Sequence, residues 1–192
     1  MEIVKIGFKK FEIKEQLGEF TLVLFKNKEY LMKKFQTYSA FCDYLEHYNM
    51  IRNMGVKLPK VIAKDKKNNL VVEEYIKGDN VMNLLMKDDL KDEVYERIFM
   101  MTFLARTSKY IINFDPSNYI YAEDGILYYM SKEYRQYEPE LNFIKEGIRL
   151  WFYTKEFMDL LKEKNLPIDN KRIKNDYVIN KEIVLKTIKF YR

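Results

Sequence analysis

The sequence predicts an α+β fold in two lobes: a small antiparallel sheet with one helix over residues 1–77, then a mainly helical lobe over 78–192. Three observations carry that expectation. Apolar residues in the first third alternate or cluster as in strands, broken by turns at Gly18, Asn27-Lys28 and Asn68-Asn69. One stretch, residues 39–54, switches to a helical period within this strand-like region. Beyond Gly78 the long apolar patterns are helical, except for a short hairpin signal between residues 111 and 131.

The elements follow in order. Strands are expected over 12–17, 21–26 and 29–35. Phe41, Tyr44, Leu45, Tyr48, Ile51 and Met54 then recur at three- and four-residue steps, with Ser39 as N-cap and Gly55 closing the helix. Pro59 opens a strand over 60–63, joined to a strand over 70–75 by the turn Lys66-Lys67-Asn68-Asn69. A short helix over 80–86 and a long apolar one over 93–110 follow the break at Gly78. Residues 111–131 read as a loop with a Pro-Ser-Asn turn, a short strand, an Asp-Gly turn and a second short strand. Helices resume over 139–145, 148–164 and 180–190.

Composition narrows the function classes. With 47% apolar residues the 192-residue chain can bury a core. The best apolar run, Ile98–Ala105, is far shorter than the roughly 20 residues of a spanning helix. The opening residues Met1-Glu2-Ile3-Val4-Lys5 lack a signal peptide's apolar stretch, so a cytoplasmic protein is expected. One cysteine, Cys42, excludes an internal disulfide, and one histidine, His47, excludes a multi-histidine metal centre. The net charge of +5 suits phosphate-bearing partners of several kinds, including nucleic acid, without choosing among them.

One set of spacings is more specific. Glu46 on the helix is followed by Gly55-Val56-Lys57-Leu58-Pro59, then a hairpin, then Glu73-Glu74-Tyr75-Ile76-Lys77-Gly78. With the 111–131 segment, this order resembles the protein-kinase-like fold, closest to small bacterial and archaeal kinases and the aminoglycoside- and choline-phosphotransferases. The resemblance covers roughly residues 12–165. It implies ATP and Mg²⁺ as cofactors and a protein or small molecule as acceptor. Lys33 would be the phosphate lysine and Glu46 the carboxylate that aims it. Lys34 points to the opposite strand face. Backbone groups of the hinge, at Glu74 and Ile76, would receive adenine. Gly18 stands where a glycine-rich phosphate cover belongs, although Gln16-Leu17-Gly18-Glu19-Phe20 has one glycine and an acidic residue beside it.

The resemblance also locates what has changed. Such loops read approximately His-Gly-Asp-Leu-x-Pro-x-Asn. Matching Pro116 and Asn118 puts Ile111 at the histidine and Asn113 at the catalytic aspartate, with Asn118 as the metal-binding asparagine. The strand that should end in a metal aspartate ends at Ser131. Asparagine cannot take the acceptor hydroxyl's proton as a carboxylate does, and losing a general base costs about 10²–10⁴ in rate. Serine is a poor ligand for Mg²⁺. Asp115 and Glu133, each two residues further on, are the remaining carboxylates that could replace these functions. The expectation is therefore a kinase-fold protein, catalytically impaired, with weak or no nucleotide binding. The alternatives are an active atypical kinase using Asp115 and Glu133, and a basic nucleic-acid-binding protein.

Overall fold

The computed structural model describes residues 2–173 and 175–191. It is an α+β structure built on an antiparallel sheet and several helices. The chain divides into two compact units, Met1–Met50 with Leu58–Ile76, and Ile51–Lys57 with Lys77–Arg192.

The first unit is a six-stranded sheet. Its strands are β1 (Ile3–Ile6), β2 (Lys9–Leu17), β3 (Phe20–Phe25), β4 (Lys28–Lys34), β5 (Val61–Asp65) and β6 (Leu70–Glu74). They lie in the order β1-β2-β3-β4-β6-β5, every pair antiparallel. The opening strand β1 was not expected from the sequence. Its alternation is short, and it is set by pairing of Ile3 to Ile6 with Glu12 to Lys9 of β2. Phe11, Val23, Met32 and Val72 form the apolar core on one face, each 7% exposed or less. Val71, Phe35 and Phe41 form a second cluster, with Tyr44 and Leu45 packed against it.

Helix α1 (Tyr38–Asn53) joins β4 to β5. Its cap is Thr37 rather than Ser39: the Thr37 Oγ1 accepts from the Ala40 amide at 3.1 Å. Gly55 follows at φ +86°, a backbone conformation that favours glycine.

The second unit holds α2 (Val81–Lys87), α3 (Asp92–Thr107), α4 (Lys155–Glu163) and α5 (Asp176–Phe190). Two small sheets accompany them. β7 (Gly78–Asn80), β9 (Tyr119–Ala122) and β10 (Leu127–Tyr129) form one, in the order β10-β9-β7. β8 (Tyr110–Ile112) pairs with β11 (Tyr134–Gln136) in the other. The hairpin β9–β10 is the one read from sequence, closed by Asp124, whose Oδ1 accepts from the Ile126 amide at 3.0 Å, and Gly125 at φ +74°.

Two helical expectations are corrected. Residues 139–145 form no regular α-helix; a single wide helical turn occupies Phe143–Gly147. The stretch 148–164 is two pieces, a 3₁₀ turn over Ile148–Trp151 and then α4. The break is chemical. The Thr154 hydroxyl donates to the Arg149 carbonyl at 2.7 Å and accepts from the Phe157 amide at 3.2 Å, ending one turn and capping the next helix. Among the described residues no helix is long and apolar enough to cross a membrane.

Candidate functional site

The loop after β8 carries most of the residues singled out from sequence. Asn113 leaves β8 with its side chain bonded at both ends. Its Nδ2 donates to Glu133 Oε2 at 2.7 Å, and its Oδ1 accepts the Asp115 amide at 2.9 Å. The backbone is fixed as firmly: the Asn113 amide donates to the Tyr129 hydroxyl at 3.1 Å, and its carbonyl accepts from the Tyr119 hydroxyl at 2.6 Å. The Tyr129 hydroxyl in turn donates to the Glu133 carbonyl at 2.7 Å. Burial pushes the Tyr129 phenol up to about 12 and raises that of Tyr119 well above its ordinary value. Both are therefore neutral hydrogen-bonding posts rather than acids or bases near neutral pH.

Asp115 caps the Pro116–Asn118 turn by accepting the Ser117 amide on Oδ1 at 2.8 Å. Its other oxygen is paired with Lys164 Nζ at 2.8 Å. Asn118 closes that turn through its amide and receives the Met130 amide on its carbonyl at 2.8 Å. Ser131 Oγ accepts the Glu133 amide at 3.1 Å. The structure thus joins Asn113, Asp115, Ser131 and Glu133 into one bonded network. Asn118 is linked to β10 through backbone. Asn113, Asp115, Glu133 and Arg135 line a cavity of ≈ 460 Å³, a volume within the usual range for small-molecule pockets. Arg135 is bonded there to Glu146 at 3.0 Å.

Trp151, the one tryptophan, supports this loop from below. It is fully buried, donates from Nε1 to the Phe114 carbonyl at 2.8 Å, and packs edge-on against Tyr119 at 5.1 Å. Gly147 permits the packing, because a Cβ there would fall 2.6 Å from the Phe114 ring.

In the first unit, Lys33 lies on the strand face that carries Val71, with Glu73 two residues along β6. Its ammonium pairs with Glu19 at 2.6 Å, not with Glu46. Three rings stand within 6 Å of it: Phe20 at 5.1 Å, Phe35 at 5.4 Å and Tyr44 at 5.6 Å. Glu46 is exposed. At 3.6 residues per turn it falls opposite the stripe of Phe41, Tyr44, Leu45 and Tyr48, so the helix turns it to solvent. The carboxylate near Lys33 that the sequence reading passed over is Glu73, 3% exposed and accepting from the Tyr44 hydroxyl at 2.9 Å. Its signal was available: an acidic residue immediately after the apolar pair Val71-Val72 in a central strand. Glu74 accepts the Lys60 amide on its side chain at 3.0 Å, and Ile76 is buried.

The donor set bears on metal binding. Magnesium takes oxygen ligands in octahedral array and favours carboxylates. Of Asn118, Ser131 and Glu133 one is a carboxylate, and it is bonded to Asn113. Among the described residues no three His, Cys, Asp or Glu side chains converge. These residues do not fit a metal site held by protein carboxylates. No protein-family model matches the chain, and no curated protein matches it significantly.

Proposed function

We propose that this is a kinase-fold protein related to ATP-dependent phosphotransferases, acting as a catalytically impaired, pseudokinase-like module with weak or no nucleotide binding. The observation that carries the reading is that the loop's polar groups are already committed to one another. Asn113 stands where the resemblance requires a base, and its amide is held by Glu133 and by the Asp115 backbone. Asp115 is held by Lys164. The antiparallel sheet bearing one helix between β4 and β5, and the hairpin after the Pro-Ser-Asn turn, also support it. The module would work through a protein partner. A thermal-shift titration with ATP, with and without Mg²⁺, tests the proposal beside an assay of γ-phosphate transfer. Saturating a tight site a hundredfold over its Kd would stabilise the protein by about 2.7 kcal/mol. The expected result is a small shift that Mg²⁺ does not change, and no transfer. Strong Mg²⁺-dependent stabilisation with turnover would refute it.

A second reading rests on a separate observation, that Asp115 and Glu133 line one cavity. In an active atypical kinase acting on a protein or small-molecule hydroxyl, Asp115 would accept the proton. Asp115→Asn would then abolish phosphotransfer while Asn113→Ala would not. Equal activity of wild type and the Asp115 variant would eliminate this reading.

A further inference from the structure

The β1–β2 hairpin ends in an apolar side chain that the fold does not use. Ile6 pairs with Lys9, so Gly7 and Phe8 make a two-residue turn, with Gly7 at φ +58°. Such turns favour Gly, Asn, Asp and Ser for their backbone freedom or local hydrogen bonds, and phenylalanine supplies neither. Phe8 adds nothing to the core either, since its ring is fully exposed, at 105%. The tip also projects: β2 pairs with β3 only from Glu12 onward, so Lys9–Phe11 carry it roughly 10 Å past the last β2–β3 pair. One exposed apolar side chain means little by itself. Its setting is what points to a ligand. Residues 3–11 and 26–28 hold five lysines, Lys5, Lys9, Lys10, Lys26 and Lys28, and no carboxylate. Lys5 and Lys10 are exposed and stand directly opposite each other in the β1–β2 register, an arrangement of like charges that costs stability in water. The β3–β4 turn joins this frame. The ammonium groups of Lys9 and Lys26 lie 5.8 and 5.6 Å from the centroid of one ring, that of Phe25. Lys9 is tied down there by donating to the Ile62 carbonyl, whereas Lys26 and Lys28 are exposed.

We propose that this hairpin tip docks on an anionic lipid surface, with Phe8 entering the boundary between headgroups and acyl chains and the exposed lysines meeting the headgroups. Shape and charge select that occupant. A ring exposed on all sides at the end of a hairpin offers no walls to a nucleic acid, and a stacked base would cover only one of its faces. A bilayer takes both faces out of water. It also presents a plane of negative charge to the surrounding lysines, which offsets the repulsion between Lys5 and Lys10. The inference goes beyond the proposed function and does not depend on it, because no residue of the Asn113 loop takes part.

Co-sedimentation of the full chain with vesicles tests it. Vesicles of phosphatidylcholine with about a third phosphatidylserine should hold half the protein at about 0.1–1 mM lipid in about 0.1 M salt, and phosphatidylcholine alone should hold almost none. Raising the salt to about 0.5 M should release the protein. Phe8→Ser should weaken binding about tenfold or more, and the double variant Lys5→Gln, Lys10→Gln by a similar factor. All three positions are exposed, so neither variant should lower the melting temperature. Phe8→Leu, which keeps an apolar tip, should bind within a few-fold of wild type. Protein that stays in solution at about 2 mM anionic lipid would overturn the proposal, including protein that binds a single-stranded oligonucleotide instead. So would binding undiminished by Phe8→Ser, or weakened as much by Phe8→Leu as by Phe8→Ser.

Discussion

Lys33 and Glu73, on neighbouring strands β4 and β6, differ in their exposure to solvent. Lys33 keeps a fifth of its side chain exposed and is paired with Glu19, itself 65% exposed, so the pair is solvated and worth less than about 1 kcal/mol. Glu73 is buried and accepts a hydrogen bond from the Tyr44 hydroxyl. Burial, with the neighbouring Glu73 charge, raises the Tyr44 phenol far above its ordinary value, so it remains a donor. Tyr44→Phe should therefore cost about 1–3 kcal/mol in urea denaturation, whereas Glu19→Gln should cost less than about 1 kcal/mol. A similar contrast holds at Asp115. Asparagine there can still cap the Pro116 turn but cannot pair with Lys164; alanine can do neither. Asp115→Ala should be about 1 kcal/mol less stable than Asp115→Asn by the same measurement.

Among the elements, β7 depends most on a single residue. A Cβ at Gly78 would lie 2.3 Å from the Tyr121 carbonyl oxygen and 2.6 Å from the Ala122 Cα, both backbone atoms of β9. Gly78→Ala must push the strands apart and should cost about 1–3 kcal/mol or more. In hydrogen exchange, loss of amide protection at Glu123, which donates to the Lys77 carbonyl across the β7–β9 edge, with protection kept at Ala122, which donates to Ile126 within the hairpin, would check where the damage falls. Sequence periodicity marked Gly78 as a break but not as a strand, because a three-residue strand has no period to read. The same limit hid β8 and β11, whose pairing of Ile111 with Arg135 is set by tertiary contact. Long patterns were legible: α1, α3 and the β9–β10 hairpin lie close to where alternation, helical stripes and the Asp-Gly turn put them. Residues 148–164 misled because Phe152, Tyr153 and Phe157 continue an apolar pattern through the break that Thr154 makes. At the site, Asn113, Asp115 and Glu133 were singled out through the family resemblance, and the hydrogen bonds that join them were not read from the sequence. Lys164 as the partner of Asp115 was not, since 49 residues separate them in the chain.

At the scale of the whole molecule, a cluster of charges with shifted titration binds α5 to α3. Hydrogen bonds from Lys186 and then Lys189 hold the Asp92 carboxyl below its ordinary 3.8. Asp92 correspondingly raises Lys189 above 10.5. A depressed carboxyl stabilises the fold above its unfolded value, and that contribution is lost as pH falls through the folded one. A raised amine stabilises below its unfolded value and loses the contribution as pH rises through the folded one. Attachment of α5 should thus be firm between about pH 4 and pH 10 and loosen outside it. The effect is modest because these groups are solvated. Limited proteolysis should cut within 176–190 earlier at pH 3 than at pH 7, and Asp92→Asn should narrow that difference.

Trp151 has an optical corollary. As the sole indole, sealed from solvent and bonded to the carbonyl of Phe114, it should emit at short wavelength and resist quenching by iodide. Because Phe114 also lines the cavity with Asn113, the emission of this indole offers a label-free readout for titrating small molecules into it.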